Sequence, residues 1–131
     1  MDENERNIYR QIPSFVKDTA DFIEKIKTMT IEDDEIMVSF DIKSLFTSVP
    51  IADATNVIKQ LIQKDEDFST RTNLKPESLL DLLQLCLTTT SFQFRETHYE
   101  LTDGLPMGSP TSPSVANLFV AQVEKRATRP P

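Results

Sequence analysis

The amino-acid sequence predicts an α+β fold in which helices pack on one face of a small antiparallel sheet. Several segments place apolar residues at the spacing of an amphipathic helix. Residues 91–102 alternate between apolar and polar side chains as a hairpin does, and residues 36–42 form a short apolar run typical of a buried strand. The length of 131 residues fits one domain with one core.

The first half of the chain contains two predicted helices on either side of the predicted strand. The first covers residues 14–29, with Ser14 as its N-cap. The second covers residues 51–64, and Pro50 favours a loop or a 3₁₀ turn in the segment before it. The residues expected to face inward are Phe15, Thr19, Phe22, Ile26 and Met29 in the first helix, and Ile51, Ala54, Ile58, Leu61 and Ile62 in the second.

The second half begins with a polar loop over residues 64–73. A third helix opens at Pro76, because proline tolerates a first-turn position where its missing N–H costs nothing. Leucines between residues 79 and 87 cover most of its circumference, which predicts the most buried helix of the fold. The hairpin at 91–102 lacks an Asn-Gly or Asp-Gly turn, so its turn geometry stays open.

Unusual backbone geometry is concentrated in the segment after the hairpin. The two glycines of the chain, Gly104 and Gly108, both lie there. Glycine allows positive φ angles and close approach of other backbone. A final helix is predicted over residues 113–126, with Ser112 as its N-cap. Its expected inward residues are Val115, Ala116, Phe119, Val120 and Val123.

Composition and charge exclude several classes of protein. The net charge of −7 disfavours a stand-alone binder of nucleic acid or of anionic membranes. One cysteine and one histidine exclude a disulfide framework and a structural zinc site made of those residues, so a bound metal would be a hard cation held by carboxylates. The sequence shows no secretory signal and no membrane-spanning run, which predicts an intracellular protein, nuclear or cytoplasmic, with no membrane contact.

The first segment that could carry chemistry is SFDIKSLFTSVP, residues 39–50. Asp41 stands near the end of an apolar run, where an unpaired buried charge is costly. It could cap the following turn, or it could bind a metal ion from a rigid position. Phe46 could pack in the core, or it could lie against a sugar or a base. The residues alone leave both pairs of alternatives open.

The second segment is TDGLPMGSPTSPSVANLFV, residues 102–120. Its glycines permit close approach of a ligand or of other backbone, and the start of the following helix suits an anion. The alternative is an ordinary connection, rich in proline and glycine, between the hairpin and the helix.

The two segments together, in this order and at this spacing, resemble the reverse transcriptases of retroelements. The likeness is greatest to Penelope-like elements, with non-LTR elements and group II introns more distant. The flanking segment SFVKDTADFIEKIK and the hairpin residues FQFRETHYE are also similar to that family. The resemblance covers residues 13–124.

The resemblance implies a role for each matching position. Asp41 corresponds to the first metal-binding, catalytic aspartate, and the carbonyl of Ile42 joins it in binding Mg²⁺ or Mn²⁺. Ser44, Leu45 and Phe46 correspond to nucleotide-binding residues, with Phe46 as the aromatic side chain that excludes a 2′-hydroxyl. The implied partners are an RNA or DNA template-primer and a deoxynucleoside triphosphate. The loop that contacts template and nucleotide corresponds to Gly104, Pro106, Met107, Gly108, Ser109 and Pro110, with Met107 where many relatives have glutamine.

One departure from the family pattern leads to the expectation of a fragment. The family's second catalytic element is a Tyr-x-Asp-Asp hairpin after the helix at 113–126, and the printed sequence contains none. We therefore expect a polar tail over residues 1–12, part of the fingers and the first half of the palm over 13–126, and a frayed tail over 127–131. The fragment alone is expected to be inactive, to bind Mg²⁺ weakly, and to bind nucleic acid weakly or not at all. The strand at 36–42, which pairs with that hairpin in the family, is expected to pair with 91–102 or to remain an edge.

Two other interpretations stay open. The chain could be a non-catalytic helical interaction module that docks through the leucine-rich helix at residues 79–87. It could also be a decayed retroelement relic without present function, prone to aggregate through uncovered apolar surface.

Overall fold

The computed structural model describes residues 14–127, which divide into two compact units. The described part of the first unit ends at Ile42, and the second begins at Lys43. The predicted N-terminal tail at residues 1–12 lies outside the described residues, as do residues 128–131 of the predicted C-terminal tail. The elements are α1 (Thr19–Ile26), α2 (Leu45–Ser48), α3 (Ile51–Gln63), α4 (Phe68–Arg71), α5 (Pro76–Thr88), β1 (Ser91–Phe94), β2 (Thr97–Glu100) and α6 (Ser112–Ala127).

The described part of the first unit, residues 14–42, contains one helix, α1, which is shorter than the predicted helix over 14–29. Ser14 is not its N-cap. Asp18 occupies that position in extended backbone, and its side chain accepts a hydrogen bond from the Asp21 backbone N–H at 2.9 Å. Lys25 pairs with Asp21 one turn away, at 2.9 Å. No residue of α1 is buried, so the predicted inward stripe does not form part of a core among residues 14–42.

The predicted buried strand at residues 36–42 is wrong. These residues have no assigned strand structure, and the two-stranded sheet found among residues 14–127 contains only β1 and β2. The apolar side chains are exposed, most strongly Phe40, which keeps 93% of its surface. An apolar run becomes a strand only where another backbone completes its hydrogen bonds, and in the described chain none does.

The core of the second unit lies among its helices. Helix α3 packs against both α5 and α6, and the short helix α2 packs against α6. The buried apolar cluster consists of Val49, Ile51, Ala54, Leu87, Leu105, Val115 and Ala116. The prediction for α3 is confirmed in extent, although its buried residues are Ile51, Ala54 and Val57, while Leu61 is exposed.

Helix α5 begins at Pro76 as predicted, but it is not the most buried helix. Only Leu87, at its C-terminal end, is buried, while Leu82 and Leu85 are exposed. Leucines around the whole circumference predict burial only if neighbours cover every side, and α3 covers one. The polar segment before α5 contains the single helical turn α4 within the predicted loop.

The predicted hairpin is confirmed as the antiparallel pair β1 and β2, with Phe92 opposite Tyr99. The rings of these two residues stack with centroids 5.4 Å apart. The side chains of both strands are exposed, so this small sheet adds little to the core. Helices together with a small antiparallel sheet confirm the predicted α+β class.

The hairpin turn consists of Arg95 and Glu96, both with positive φ, at 48° and 63°. Two positive φ values are the pattern of a type I′ turn, which favours asparagine and glycine. An ordinary side chain in this left-handed region costs roughly 1–2 kcal/mol. Arg95 also lies over the Phe94 ring, with its guanidinium carbon 5.2 Å from the ring centre, which favours retaining the arginine.

Glu96→Gly is therefore expected to stabilise the hairpin by about 1 kcal/mol, because glycine relieves the left-handed strain and leaves Arg95 in place. Amide hydrogen exchange in β1 and β2 measures the effect. Glu100→Gly, in strand β2, is the control and should destabilise the hairpin. Slower exchange in the Glu100→Gly chain than in the Glu96→Gly chain would contradict this account of the turn.

Helix α6 begins at Ser112, so Ser112 is not the N-cap. The Thr111 carbonyl accepts the first helical hydrogen bond, from the Val115 N–H at 3.0 Å. The Ser112 hydroxyl instead donates to the buried Pro106 carbonyl at 2.6 Å, which ties the preceding loop to the helix. Of the predicted inward residues, Val115 and Ala116 are buried, Phe119 and Val120 are half-buried, and Val123 is exposed.

Candidate functional site

The residues predicted to form a site are divided between the two units. Asp41 and Ile42 are the last residues of the first unit, and both are exposed. Ser44, Leu45 and Phe46 and the loop from Gly104 to Pro110 belong to the second unit. The structure brings the last two groups together.

A metal site is not complete within the described residues. Between residues 14 and 127, no group of three or more histidine, cysteine, aspartate or glutamate side chains is placed to hold an ion. Asp41 offers an accessible carboxylate of the kind that Mg²⁺ and Mn²⁺ prefer. A carboxylate and a neighbouring carbonyl supply two oxygen ligands, which leaves most of an octahedral shell to water or to phosphate oxygens.

The segment that carries Phe46 is a single helical turn entered through Ser44. Ser44 has left-handed backbone angles, φ 54° and ψ 51°, and its carbonyl accepts hydrogen bonds from the Ser48 N–H and the Thr47 hydroxyl. Phe46 is half-buried and packs against the core cluster of the second unit. Phe46 therefore packs partly in the core, as one alternative expected, and its contact with a sugar or a base stays a prediction.

The loop after the hairpin, at residues 104 and 105, contacts this turn through its backbone. The Leu105 N–H donates to the Phe46 carbonyl at 2.7 Å, and the Leu105 side chain is 1% exposed. Gly104 lies so close to the turn that an added Cβ would be 3.0 Å from both the Cα and the carbonyl oxygen of Thr47. Gly104 also has φ +84°, so glycine is required here both for space and for conformation.

Asp103 is a structural residue that the sequence reasoning missed. One carboxylate oxygen, Oδ1, accepts hydrogen bonds from the backbone N–H groups of Gly104 at 2.8 Å and of Ile51 at 3.2 Å. Ile51 begins α3, whose N-cap Pro50 makes no side-chain hydrogen bond, so Asp103 satisfies a helix-start donor from a distant part of the chain. The missing local cap at Pro50 is the signal that could have indicated it. We call these contacts between residues 46–51 and 103–105 the clasp.

The rest of the loop, residues 106–110, passes from a buried position to an exposed one. Pro106 is buried and is held by the Ser112 hydroxyl. Met107 is 76% exposed, and Gly108, with φ +88°, has no neighbouring atom near the position of a Cβ. The Ser109 hydroxyl lies 2.9 Å from the Thr111 hydroxyl, and Pro110 is exposed. The loop thus has an anchored base and an exposed tip.

The clasp predicts a specific pH dependence. Hydrogen bonds from the Gly104 and Ile51 backbone N–H groups lower the pKa of Asp103 below its ordinary value. The charged carboxylate therefore stabilises the folded chain above that ordinary value, and the contribution is lost as pH falls through the lowered pKa. When the pH is lowered from about 5 to about 2, the urea concentration at the unfolding midpoint should therefore decrease less for Asp103→Ala than for the unmodified chain.

Asp21 provides the control for this measurement. Its pKa is also lowered, first by the Lys17 backbone N–H and then by Lys25, but it belongs to the first unit. Asp21→Ala should leave the acid sensitivity of the second unit unchanged. Equal acid sensitivity in the unmodified and Asp103→Ala chains would contradict the assigned role of Asp103.

Comparisons with known proteins identify the family. Within residues 14–127, no helix combines the length and the apolar character needed to cross a bilayer. A search of curated proteins and a search of solved structures each return no significant match. A family model described as reverse transcriptase (RNA-dependent DNA polymerase) matches residues 4–129, which is nearly the whole chain. The chain therefore belongs to the reverse transcriptase family.

Proposed function

We propose that the chain carries the nucleotide-binding part of a reverse transcriptase active site. The observation that carries the proposal is the clasp, in which the Leu105 N–H holds the Phe46 carbonyl at 2.7 Å. This contact joins two segments that the family resemblance assigns to nucleotide and template. Ser44, Leu45 and Phe46 would contact the incoming nucleotide, and residues 104–110 would contact the template and the nucleotide.

Phe46 is proposed to select deoxynucleotides. An aromatic ring beside the sugar leaves no room for a 2′-hydroxyl, so a ribonucleotide would clash where a deoxynucleotide fits. The ring is well suited to this because the clasp fixes its backbone and the core cluster supports its inner side. Exclusion of ribonucleotides by shape requires a ring in a fixed position, since a mobile ring would move away from the 2′-hydroxyl.

Asp41 and the carbonyl of Ile42 are proposed to bind Mg²⁺ or Mn²⁺, as the family resemblance implies. The donor type fits, because both atoms are hard oxygen ligands. The donor number is low, since the described residues include no group of three or more histidine, cysteine, aspartate or glutamate side chains placed to hold an ion. When bound, such an ion neutralises phosphate charge and polarises the phosphoryl oxygens. We expect this binding to be weak in the chain alone.

We further propose that the chain by itself does not polymerise nucleotides. Two-metal phosphoryl transfer requires several carboxylates around ions about 3.5–4 Å apart, and Asp41 is the one assigned by the resemblance. The net charge of −7 also opposes tight binding of a template-primer. A primer-extension assay with purified chain, template-primer, Mg²⁺ and deoxynucleotides should yield no extended product. Template-dependent DNA synthesis would overturn this part of the proposal.

Titration with two matched nucleotides tests the proposed nucleotide site. dUTP and UTP differ only in the 2′-hydroxyl, so their dissociation constants isolate sugar discrimination. We expect weak binding, with a dissociation constant of about 1 mM or more, observable as amide shifts at Ser44, Leu45 and Phe46 in the presence of Mg²⁺. The unmodified chain should prefer dUTP, and Phe46→Ala should lose that preference.

Phe119→Ala is the matched control for this titration. Phe119 packs against the same core cluster and is half-buried like Phe46, so its removal costs comparable packing without altering the proposed sugar contact. It should retain the preference for dUTP. Equal affinity for dUTP and UTP in the unmodified chain would contradict the proposed nucleotide selection.

The sequence also supports proposals about the evolutionary origin and the cellular location of the chain. We infer a retrotransposon origin from a Penelope-like element on the basis of the resemblance of SFDIKSLFTSVP and DGLPMGSPTSPSVANLF to that group. We infer an intracellular location, nuclear or cytoplasmic, because the single cysteine, Cys86, is exposed and unpaired.

A helical interaction module remains the second candidate function. The observation that favours it is the exposure of Leu82 and Leu85 on α5. Asp41→Asn separates the two candidates, because a nucleotide and metal site depends on this carboxylate and an interaction surface on α5 does not.

A further inference from the structure

We propose that Asp103 is a positioning residue that fixes Phe46 through the clasp and thereby sets the discrimination between deoxynucleotides and ribonucleotides. The inference rests on the proposed function of Phe46 and adds a residue outside the predicted nucleotide-binding positions. Asp103 would contact no nucleotide itself. It would act by holding the loop against the turn that carries the ring.

Helix α2, which carries Phe46, cannot hold its own position. It has four residues, and a single helical turn is far too short to be stable by itself in water. Its first residue follows Ser44, which makes no side-chain cap hydrogen bond. The orientation of Phe46 must therefore come from contacts with other parts of the fold.

Besides the packing of α2 against α6 and of Phe46 against the core cluster, three consecutive loop residues supply such contacts. Asp103 accepts the Ile51 N–H, Gly104 approaches Thr47 with no Cβ in the way, and Leu105 donates to the Phe46 carbonyl. These contacts hold both the turn and the start of α3. Because the three residues are adjacent in sequence, release of the Asp103 end changes the approach of the other two.

Asp103 differs from the other two residues because its contact depends on a side chain. The carboxylate carries two hydrogen bonds on one oxygen, and hydrogen bonds to a charged acceptor are stronger than neutral ones. Asparagine preserves the Oδ1 acceptor without the charge, whereas alanine removes it and leaves the N–H of the buried residue Ile51 without this partner. The clasp contacts are therefore expected to be most stable in the unmodified chain, less stable in Asp103→Asn and least stable in Asp103→Ala.

Hydrogen exchange and fluorine NMR test the positioning step without requiring any activity. In Asp103→Ala, the Leu105 amide should exchange about tenfold faster or more, which corresponds to about 1.4 kcal/mol of lost local protection. A fluorophenylalanine placed at Phe46 should shift or broaden. Asp103→Asn should recover most of the protection. Asp81→Ala, at an exposed position on α5, is the control and should behave as the unmodified chain.

The paired dUTP and UTP titration tests the consequence for nucleotide selection. The Asp103→Ala chain retains Phe46, yet its preference for dUTP should fall toward that of Phe46→Ala. Asp103→Asn should restore the preference for dUTP. If any substitution at this position acted only by general destabilisation, Asp103→Asn would lose the preference as well. Loss of preference in parallel with faster Leu105 exchange is the result we expect.

The two measurements together separate the possible failures. Unchanged Leu105 exchange in Asp103→Ala would overturn the inference while leaving the proposed role of Phe46 intact. A loosened clasp with an unchanged preference for dUTP would also overturn it. An unmodified chain without any preference would overturn the proposed function of Phe46, and the inference with it, whatever the exchange data show about the clasp.

Discussion

Gly104→Ala is expected to destabilise the second unit by about 2–4 kcal/mol, one of the two largest effects of a single substitution in this chain. Two costs add. The residue has φ +84°, where alanine is strained, and the new methyl group would lie 3.0 Å from Thr47 backbone atoms, which cannot move aside as a flexible side chain would. Urea unfolding followed by far-UV circular dichroism measures the loss, since the chain has no tryptophan for fluorescence.

Gly108→Ala is the matched control for this substitution. Gly108 has nearly the same φ, +88°, but no atom lies within 4 Å of the added Cβ. Its cost should be that of the backbone conformation alone, about 1 kcal/mol. Equal losses for the two variants would show that close approach of the loop to the turn does not contribute, and would contradict the described clasp.

Leu87→Ala is expected to cost about 3 kcal/mol, within the range of roughly 2–5 kcal/mol found for buried leucines. Leu87 is 1% exposed and is the residue of α5 that enters the core cluster. Truncation removes apolar contacts and leaves a cavity against the neighbouring helices. The loss is measured as the shift in the urea midpoint at unchanged slope.

Leu85→Ala, on the same helix, is the control for Leu87→Ala. Leu85 is 56% exposed, so most of its side chain is in water in the folded chain as well as in the unfolded one. Its removal should cost less than about 1 kcal/mol. A larger loss from Leu85→Ala than from Leu87→Ala would mean that α5 buries the opposite face.

Local features of the fold were predictable because they depend on neighbouring residues. Pro76 marks the start of α5 by its own backbone chemistry. The alternation around Phe92 and Tyr99 defines a hairpin without reference to the rest of the fold. The apolar spacing of α3 locates a helix that begins at Ile51, where the structure has it.

Features that depend on a distant partner were predicted poorly. The run at 36–42 has the composition of a buried strand, but composition does not supply the second backbone that a strand needs. The leucines of α5 show an apolar circumference without showing how much of it a neighbour covers. Both errors arise because burial is a property of pairs of elements rather than of one segment.

The candidate site shows the same division between local and distant information. The two glycines and the segments around Asp41 and Phe46 are visible in the sequence, and they led to the reverse transcriptase family. Asp103 was missed because the missing cap at Pro50 indicates only that the start of α3 needs a partner, and Asp103 is far from Ile51 in sequence. The residue that organises the clasp therefore emerges only from the folded backbone.

Paramagnetic broadening by Mn²⁺ tests the central proposal, that Asp41 binds a divalent metal ion. The nearby acidic run at residues 32–35 is a competing site for any divalent cation, so the design needs two variants. Asp41→Asn removes the proposed ligand, and the double substitution Asp33→Asn with Asp34→Asn removes half the charge of the run.

The account predicts that low Mn²⁺, with dUTP present, broadens the amide signals next to Asp41. Asp41→Asn should abolish this broadening, and the double substitution in the acidic run should preserve it. Broadening centred on residues 32–35 that survives Asp41→Asn would contradict the claim. It would assign divalent-ion binding in this chain to general acidic charge rather than to the catalytic position of the family.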